Sequence, residues 1–112
     1  MSEKAEIRLA ELRSMSEEFA VAYSERTYLD EFKKSKLAIL MRQAEMDGHK
    51  TMAAQEREAR AHKEYLDLLL ALKVAVERSE RLRWHLEVAK LGVAVWQTEN
   101  ANNRSERRAY GA

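Results

Sequence analysis

Glu58 and His62 stand one helical turn apart, the spacing at which a carboxylate and an imidazole can share a metal ion. They are the nearest approach to a catalytic constellation in the chain. A third ligand on that face is missing, and His49 and His85 stand alone, so the pair reads as surface chemistry. There is no Gly-rich phosphate loop, no nucleophile elbow and no His-Glu-x-x-His. The absence of cysteine excludes a thiolate nucleophile, a disulfide scaffold and Cys-ligated zinc. Carboxylates recur three or four residues from cations, as in Glu77–Arg81, Glu80–Arg83 and Glu87–Lys90, which are ordinary helix-surface pairs. A non-enzymatic protein without metal or cofactor is expected.

The chemistry that remains is charge. Formal net charge is only +1, but it is unevenly spread. Residues 1–32 hold four cations against eight anions. Residues 33–63 reverse this, with Lys33, Lys34, Lys36, Arg42, Lys50, Arg57, Arg60 and Lys63 against four anions. Residues 64–100 are near neutral, and the end of the chain adds Arg104, Arg107 and Arg108 against Glu106. A cationic path of this kind is what phosphate binding requires. An acidic end followed by a basic middle can recruit polyanion or pair subunits head to tail. The aromatic groups that single-strand stacking would use are sparse near the basic middle. Tyr65 is the nearest, Phe32 lies a dozen residues before the turn, and Trp84 and Trp96 sit on apolar stripes where they read as core.

Long helices must position these groups. There is no proline among the 112 residues, and glycine occurs only at 48, 92 and 111. Ala, Leu, Glu, Lys, Arg, Gln and Met dominate, a long-helix or coiled-coil composition. The one strong interruption is Asp47-Gly48-His49-Lys50-Thr51, with Gly48 suited to a left-handed C′ position and Thr51 to an N-cap. The chain reads as an all-α helical hairpin, with a first arm over 1–46, a turn over 47–51 and a second arm over 52–108. Residues 33–42 should then lie about opposite 57–66. Ser14-Met15-Ser16-Glu17 fits a capping box, and Ser24 and Thr27 are further possible caps, so the first arm is expected as one bent helix or two. The end of the chain, 101–112, reads as a partly flexible basic tail.

The second arm carries a heptad seam. Tyr65, Leu68, Leu72, Ala75, Ser79, Leu82, Leu86, Ala89, Val93 and Trp96 follow alternating three- and four-residue spacing, with Ser79 the one polar member. A second stripe runs through Leu66, Leu69, Val76, Trp84, Val88, Leu91 and Val95. The first arm offers a looser stripe, Leu12, Met15, Phe19, Ala22, Leu29, Leu37, Leu40 and Ala44, with Arg26 and Lys33 intruding on it. Complete burial of each second-stripe residue is worth roughly 1.5–3 kcal/mol, which favours covering it by self-association. The seam residues Tyr65, Leu68, Leu72, Ala75, Leu82, Leu86, Ala89, Val93 and Trp96 are the expected core of a homo-oligomer. A heteromeric partner would satisfy the same surface.

The order of features resembles a known family. An acidic, tyrosine-containing first segment leads to Lys-Ser-Lys-Leu-Ala-Ile-Leu-Met-Arg at 34–42 and then to a Gly-bearing turn. Tyr65-Leu66-Asp67-Leu68-Leu69 opens a heptad helix that carries Trp84 and Trp96, and Asn-Asn-Arg follows at 102–104. Over about residues 19–108 this pattern is similar to small phage-encoded helical proteins of recombination modules, the UvsY-type recombination mediators. The resemblance implies an oligomer with a C-terminal coiled coil that binds single-stranded DNA. It further implies help in loading a recombinase onto strands covered by single-strand-binding protein, in the cytoplasm of a bacterial host. Of the family's basic–apolar DNA-contact stretch, Lys36 stands for the lysine, while the arginine position holds Ile39 or is displaced to Arg42. Two other classes fit the same residues. One is a helical protein–protein adaptor. The other is a phage inhibitor of a host nuclease or defence complex that would bind protein through the acidic 17–31 segment rather than DNA.

Overall fold

The computed structural model of the protein describes residues 3–110; positions 1–2 of the expected first arm and 111–112 of the expected tail lie outside the described residues. Three helices follow one another: α1 over Glu3–Met46, α2 over Met52–Ala61 and α3 over Lys63–Ala109. There is no strand among the described residues. The fold is the all-α helical hairpin expected from composition. Glu3 and Glu6 occupy the first turn of α1, and Arg107 and Arg108 the last turn of α3, each charge opposing the helix dipole it meets.

Of the two forms expected for the first arm the structure has the single helix, and the second arm departs from expectation in continuity. α1 is a single 44-residue helix without a break at Ser14, Ser24 or Thr27. The hydroxyls are satisfied inside the helix instead. Ser24 Oγ donates to the Val21 carbonyl at 3.1 Å, and Thr27 Oγ1 donates to the Tyr23 carbonyl at 2.9 Å. The second arm, expected as one helix, is interrupted at His62, whose backbone is extended (φ −65°, ψ 138°). Its N–H still donates to the Ala59 carbonyl at 3.2 Å, and its Nδ1 accepts from Glu64 N–H at 3.1 Å. One imidazole thus follows α2 and caps α3, a role the cap preferences for Ser, Thr, Asp and Asn do not flag.

The turn forms as its residues require. Gly48 has φ +106°, His49 N–H donates to the Ala44 carbonyl at 3.0 Å, and Gly48 N–H to Glu45 at 3.1 Å. This pair of bonds is a Schellman ending. Thr51 Oγ1 accepts from Ala54 N–H at 3.1 Å and caps α2. Gln55, one of the few buried polar residues, donates from Nε2 to the His49 carbonyl at 2.9 Å and ties α2 to the turn. A Cβ at position 48 would meet nothing within 4 Å, so only backbone strain opposes substitution there. Gly48→Ala should therefore cost about 1–2 kcal/mol in thermal or urea unfolding, and Gly48→Asn clearly less.

The described chain divides into two compact units. The first comprises residues 20–80 and contains the turn. Its core is Leu40, Ala59 and Tyr65, with Leu37 and Met41 packed against it. Leu40 is 2% exposed and Tyr65 5%. Lys36 Nζ meets Glu64 Oε2 at 3.2 Å, so residues 36–40 face the neighbourhood of 59–65, as the hairpin spacing requires.

At the other end of this unit Ser79, the polar member of the seam, is 1% exposed. Its partner is the intruding cation of the first arm. Arg26 Nη1 donates to Ser79 Oγ at 3.1 Å and to Glu80 Oε1 at 3.0 Å. Arg78 Nη1 reaches Glu25 Oε2 at 3.7 Å beside it. A polar layer inside an apolar seam fixes register, because any slip leaves the guanidinium or the buried hydroxyl without a partner. Arg26→Leu alone should destabilise by about 1–3 kcal/mol. Combining it with Ser79→Ala should recover most of that loss, and a double-mutant cycle by chemical denaturation measures the coupling.

The second unit comprises residues 3–19 with 81–110. Ala5 and Leu86 are its buried apolar residues, and Leu9, Leu12, Met15, Phe19, Leu82, Ala89, Val93 and Trp96 are half-buried. Packing is looser here. A cavity of about 340 Å³ is lined by Ile7, Leu12, Ala89, Gly92 and Val93 among others, and one of about 180 Å³ by Ala5, Leu9, Val93 and Trp96 with neighbours.

Candidate nucleic-acid interface

The basic middle lies within the unit that contains the turn, and the structure splits its eight cations into two sets. Lys33 pairs with Asp30 at 3.6 Å, Lys34 with Glu31 at 3.3 Å, and Arg60 with Glu56 at 2.9 Å. Lys36, with 22% of its side chain exposed, pairs with Glu64 across the hairpin. Surface pairs of this kind add at most about 1 kcal/mol each to stability, but each binds a cation to a carboxylate. Arg42, Lys50, Arg57 and Lys63 make no ion pair among the described residues, and all four are exposed. They come from the end of α1, the turn, α2 and the first residue of α3, so every element of the turn contributes one.

Acids share these elements: Glu56 and Glu64 pair with Arg60 and Lys36, and two others line a separate hollow. Asp47 and Glu58 line a small depression of about 80 Å³ with His49, His62, Gln43, Leu40 and Ala44. None of the four open cations lines it. Glu45 remains exposed beside them. The expected Glu58–His62 neighbours therefore do share a wall, but no group of three or more His, Asp or Glu among the described residues is placed to hold a metal ion. Histidines and carboxylates thus line the hollow, and the four open cations lie outside it.

The C-terminal cations are placed differently from expectation. Residues 101–109 continue α3, so Arg104, Arg107 and Arg108 sit on a helix instead of a loose tail. Arg104 and Arg107 line an open groove of about 390 Å³ with Trp96, Gln97, Asn100 and Asn103. An aromatic edge, amides and guanidinium groups along one helix face form a combination that spacing alone did not single out.

The aromatic residues also redistribute. Tyr65 is buried and cannot serve as a stacking platform. Trp84, expected in the core, is 59% exposed, with the Arg83 guanidinium 4.9 Å from its ring centroid. Tyr28 is exposed and stacks on Phe32, with ring centroids 5.9 Å apart and an interplanar angle of 7°. These two rings precede Lys33 and Lys34 directly in α1, and their i, i+4 spacing was the available signal.

The residues expected to hold an oligomer are already packed in the single chain. Tyr65 and Leu86 are buried, and Leu68, Leu72, Ala75, Leu82, Ala89, Val93 and Trp96 are half-buried. The open apolar surface is the second stripe. Leu66, Leu69, Trp84, Val88, Leu91 and Val95 are exposed, and only Val76 of that set is half-buried. No helix among the described residues is long and apolar enough to cross a membrane. Comparison with protein-family models, with curated proteins and with solved structures finds no match for this chain.

Proposed function

We propose that the protein is a non-enzymatic, single-stranded-DNA-binding helical protein that takes phosphates on its turn and acts as a recombination mediator, helping to load a recombinase. The supporting observation is the set of four exposed cations, Arg42, Lys50, Arg57 and Lys63, left without ion pairs while Asp47 and Glu58 face the adjoining hollow. The single-stranded substrate, the recombinase and the single-strand-binding protein enter through the resemblance to UvsY-type mediators. With a net charge of +1, binding per chain is weak and salt-dependent, and several chains on one strand raise it through multivalency. A fluorescein-labelled oligonucleotide titrated at low and moderate salt tests this by anisotropy. Binding that weakens steeply with salt supports the reading, and no binding at low salt rejects it.

The exposed stripe on α3 favours a second reading, an adaptor or inhibitor that engages another protein helix. On that reading the same titration stays flat at every salt concentration.

A further inference from the structure

Gly92 is the feature of the second unit that the chain itself does not explain. It lies well inside α3, where glycine is the poorest helix former after proline. A Cβ there would meet nothing within 4 Å, so no contact within the chain demands its absence. Gly92 borders the 340 Å³ cavity on one side and the exposed stripe on the other. With Val88, Leu91 and Val95 it forms an i, i+3, i+4, i+7 set, the four corners of a hole in knobs-into-holes packing. The three apolar corners are 57–66% exposed and the fourth has no side chain. One turn before the hole, on the same face, stands Trp84, the largest exposed side chain of the unit.

We propose that this face of α3 is the contact of a two-fold, antiparallel dimer with a second copy of the chain, in which Trp84 of each copy enters the hole over Gly92 of the other. An axis beside Val88 does this in one step, because residues 84 and 92 are each four positions from it. The hole then receives the ring that an alanine or leucine at 92 would obstruct. A parallel alignment instead sets Trp84 against Trp84 and hole against hole. Covering Trp84, Val88, Leu91, Val95 and the neighbouring Ile7 removes roughly 500 Å² of apolar surface per copy. The total of about 1,000 Å² is at the lower bound of a specific interface, so the dimer is weak and concentration-dependent. The contact requires no DNA, so its failure leaves the nucleic-acid reading standing and the converse also holds.

Sedimentation velocity of the full chain without DNA, across a wide concentration range, tests the proposal. Wild type should pass from monomer to dimer as concentration rises. Trp84→Ala should lower the association constant by about thirtyfold or more, the size of an interface hot spot. Gly92→Leu is the decisive variant. It removes a helix-weakening glycine into open space, so helicity by circular dichroism should hold or rise while the dimer is lost. Crosslinking with a short bismaleimide should link Val88→Cys to itself and leave Val95→Cys unlinked. A wild type that remains monomeric, including because the face serves a different protein, overturns the proposal. So does a Gly92→Leu variant that associates like wild type, and self-linking at position 95 overturns the antiparallel arrangement.

Discussion

Leu40→Ala should lower the free energy of unfolding by about 2–4 kcal/mol, the largest effect expected of any single apolar truncation in the chain. Leu40 is 2% exposed and is the largest apolar side chain buried to that degree. It packs with Ala59 and Tyr65 and is flanked by Leu37 and Met41. Truncation removes the buried methyl groups and leaves a cavity that Ala59 is too small to fill. Leu40→Met, which conserves volume, should cost less than about 1.5 kcal/mol. Leu91→Ala, at a residue 66% exposed, should be within about 0.5 kcal/mol of wild type in dilute solution. Urea unfolding followed by circular dichroism measures all three. Because a domain of this size is stable by only about 5–15 kcal/mol, loss at Leu40 removes a substantial part of the total.

Replacing Arg42, Lys50, Arg57 and Lys63 together by glutamine should flatten the salt dependence of single-stranded DNA binding. Each phosphate neutralised on a single strand contributes about 0.7 to the slope of log affinity against log salt, so four contacts amount to roughly three. The variant loses four positive charges, and net charge alone therefore weakens binding. A second variant, with glutamine at Lys34, Arg60, Arg78 and Lys90, loses the same charge from cations that are ion-paired in the chain. If the open cations make the contacts, the first variant loses most of the slope and the second keeps most of it. Equal slopes in the two variants would mean that only total charge matters. The fold should survive the first set, since none of its members holds an ion pair or a buried contact among the described residues.

How far the sequence reached depends on the range of each interaction. Gly48 and Thr51 act through backbone geometry within a few residues, and the turn formed where their types placed it. The 65–96 seam was legible because periodicity is a local signal that needs no knowledge of the partner. The break at His62 was not, since no glycine or proline marks it and the imidazole cap depends on a single conformation. Ser24 and Thr27 looked like breaks because their hydroxyls can cap helices, whereas in α1 they bond back to carbonyls three and four residues earlier.

Long-range pairing explains the rest. Arg26 and Lys33 appeared as faults in the first-arm stripe. Only the register of the hairpin reveals that Arg26 faces Ser79, the one polar residue of the opposing seam. The basic middle was legible as composition, but the pairing of Lys36 with Glu64 spans 28 positions and removes one cation from the set. The sorting of Asp47 and Glu58 toward His49 and His62 likewise follows from how α1 and α2 meet. Two stripes of similar apolarity gave no means to tell which would be covered, and Trp84 fell on the open one.

The most direct test of phosphate capture at the turn is hydrogen exchange of the backbone, with and without saturating single-stranded oligonucleotide at low salt. Exchange should slow at 47–51 and at the start of α2, the segment that holds Lys50 and is flanked in sequence by Arg42, Arg57 and Lys63, and should change little over 3–19. Protection confined to α3 beyond Trp96, or an unchanged pattern at the turn, would contradict it.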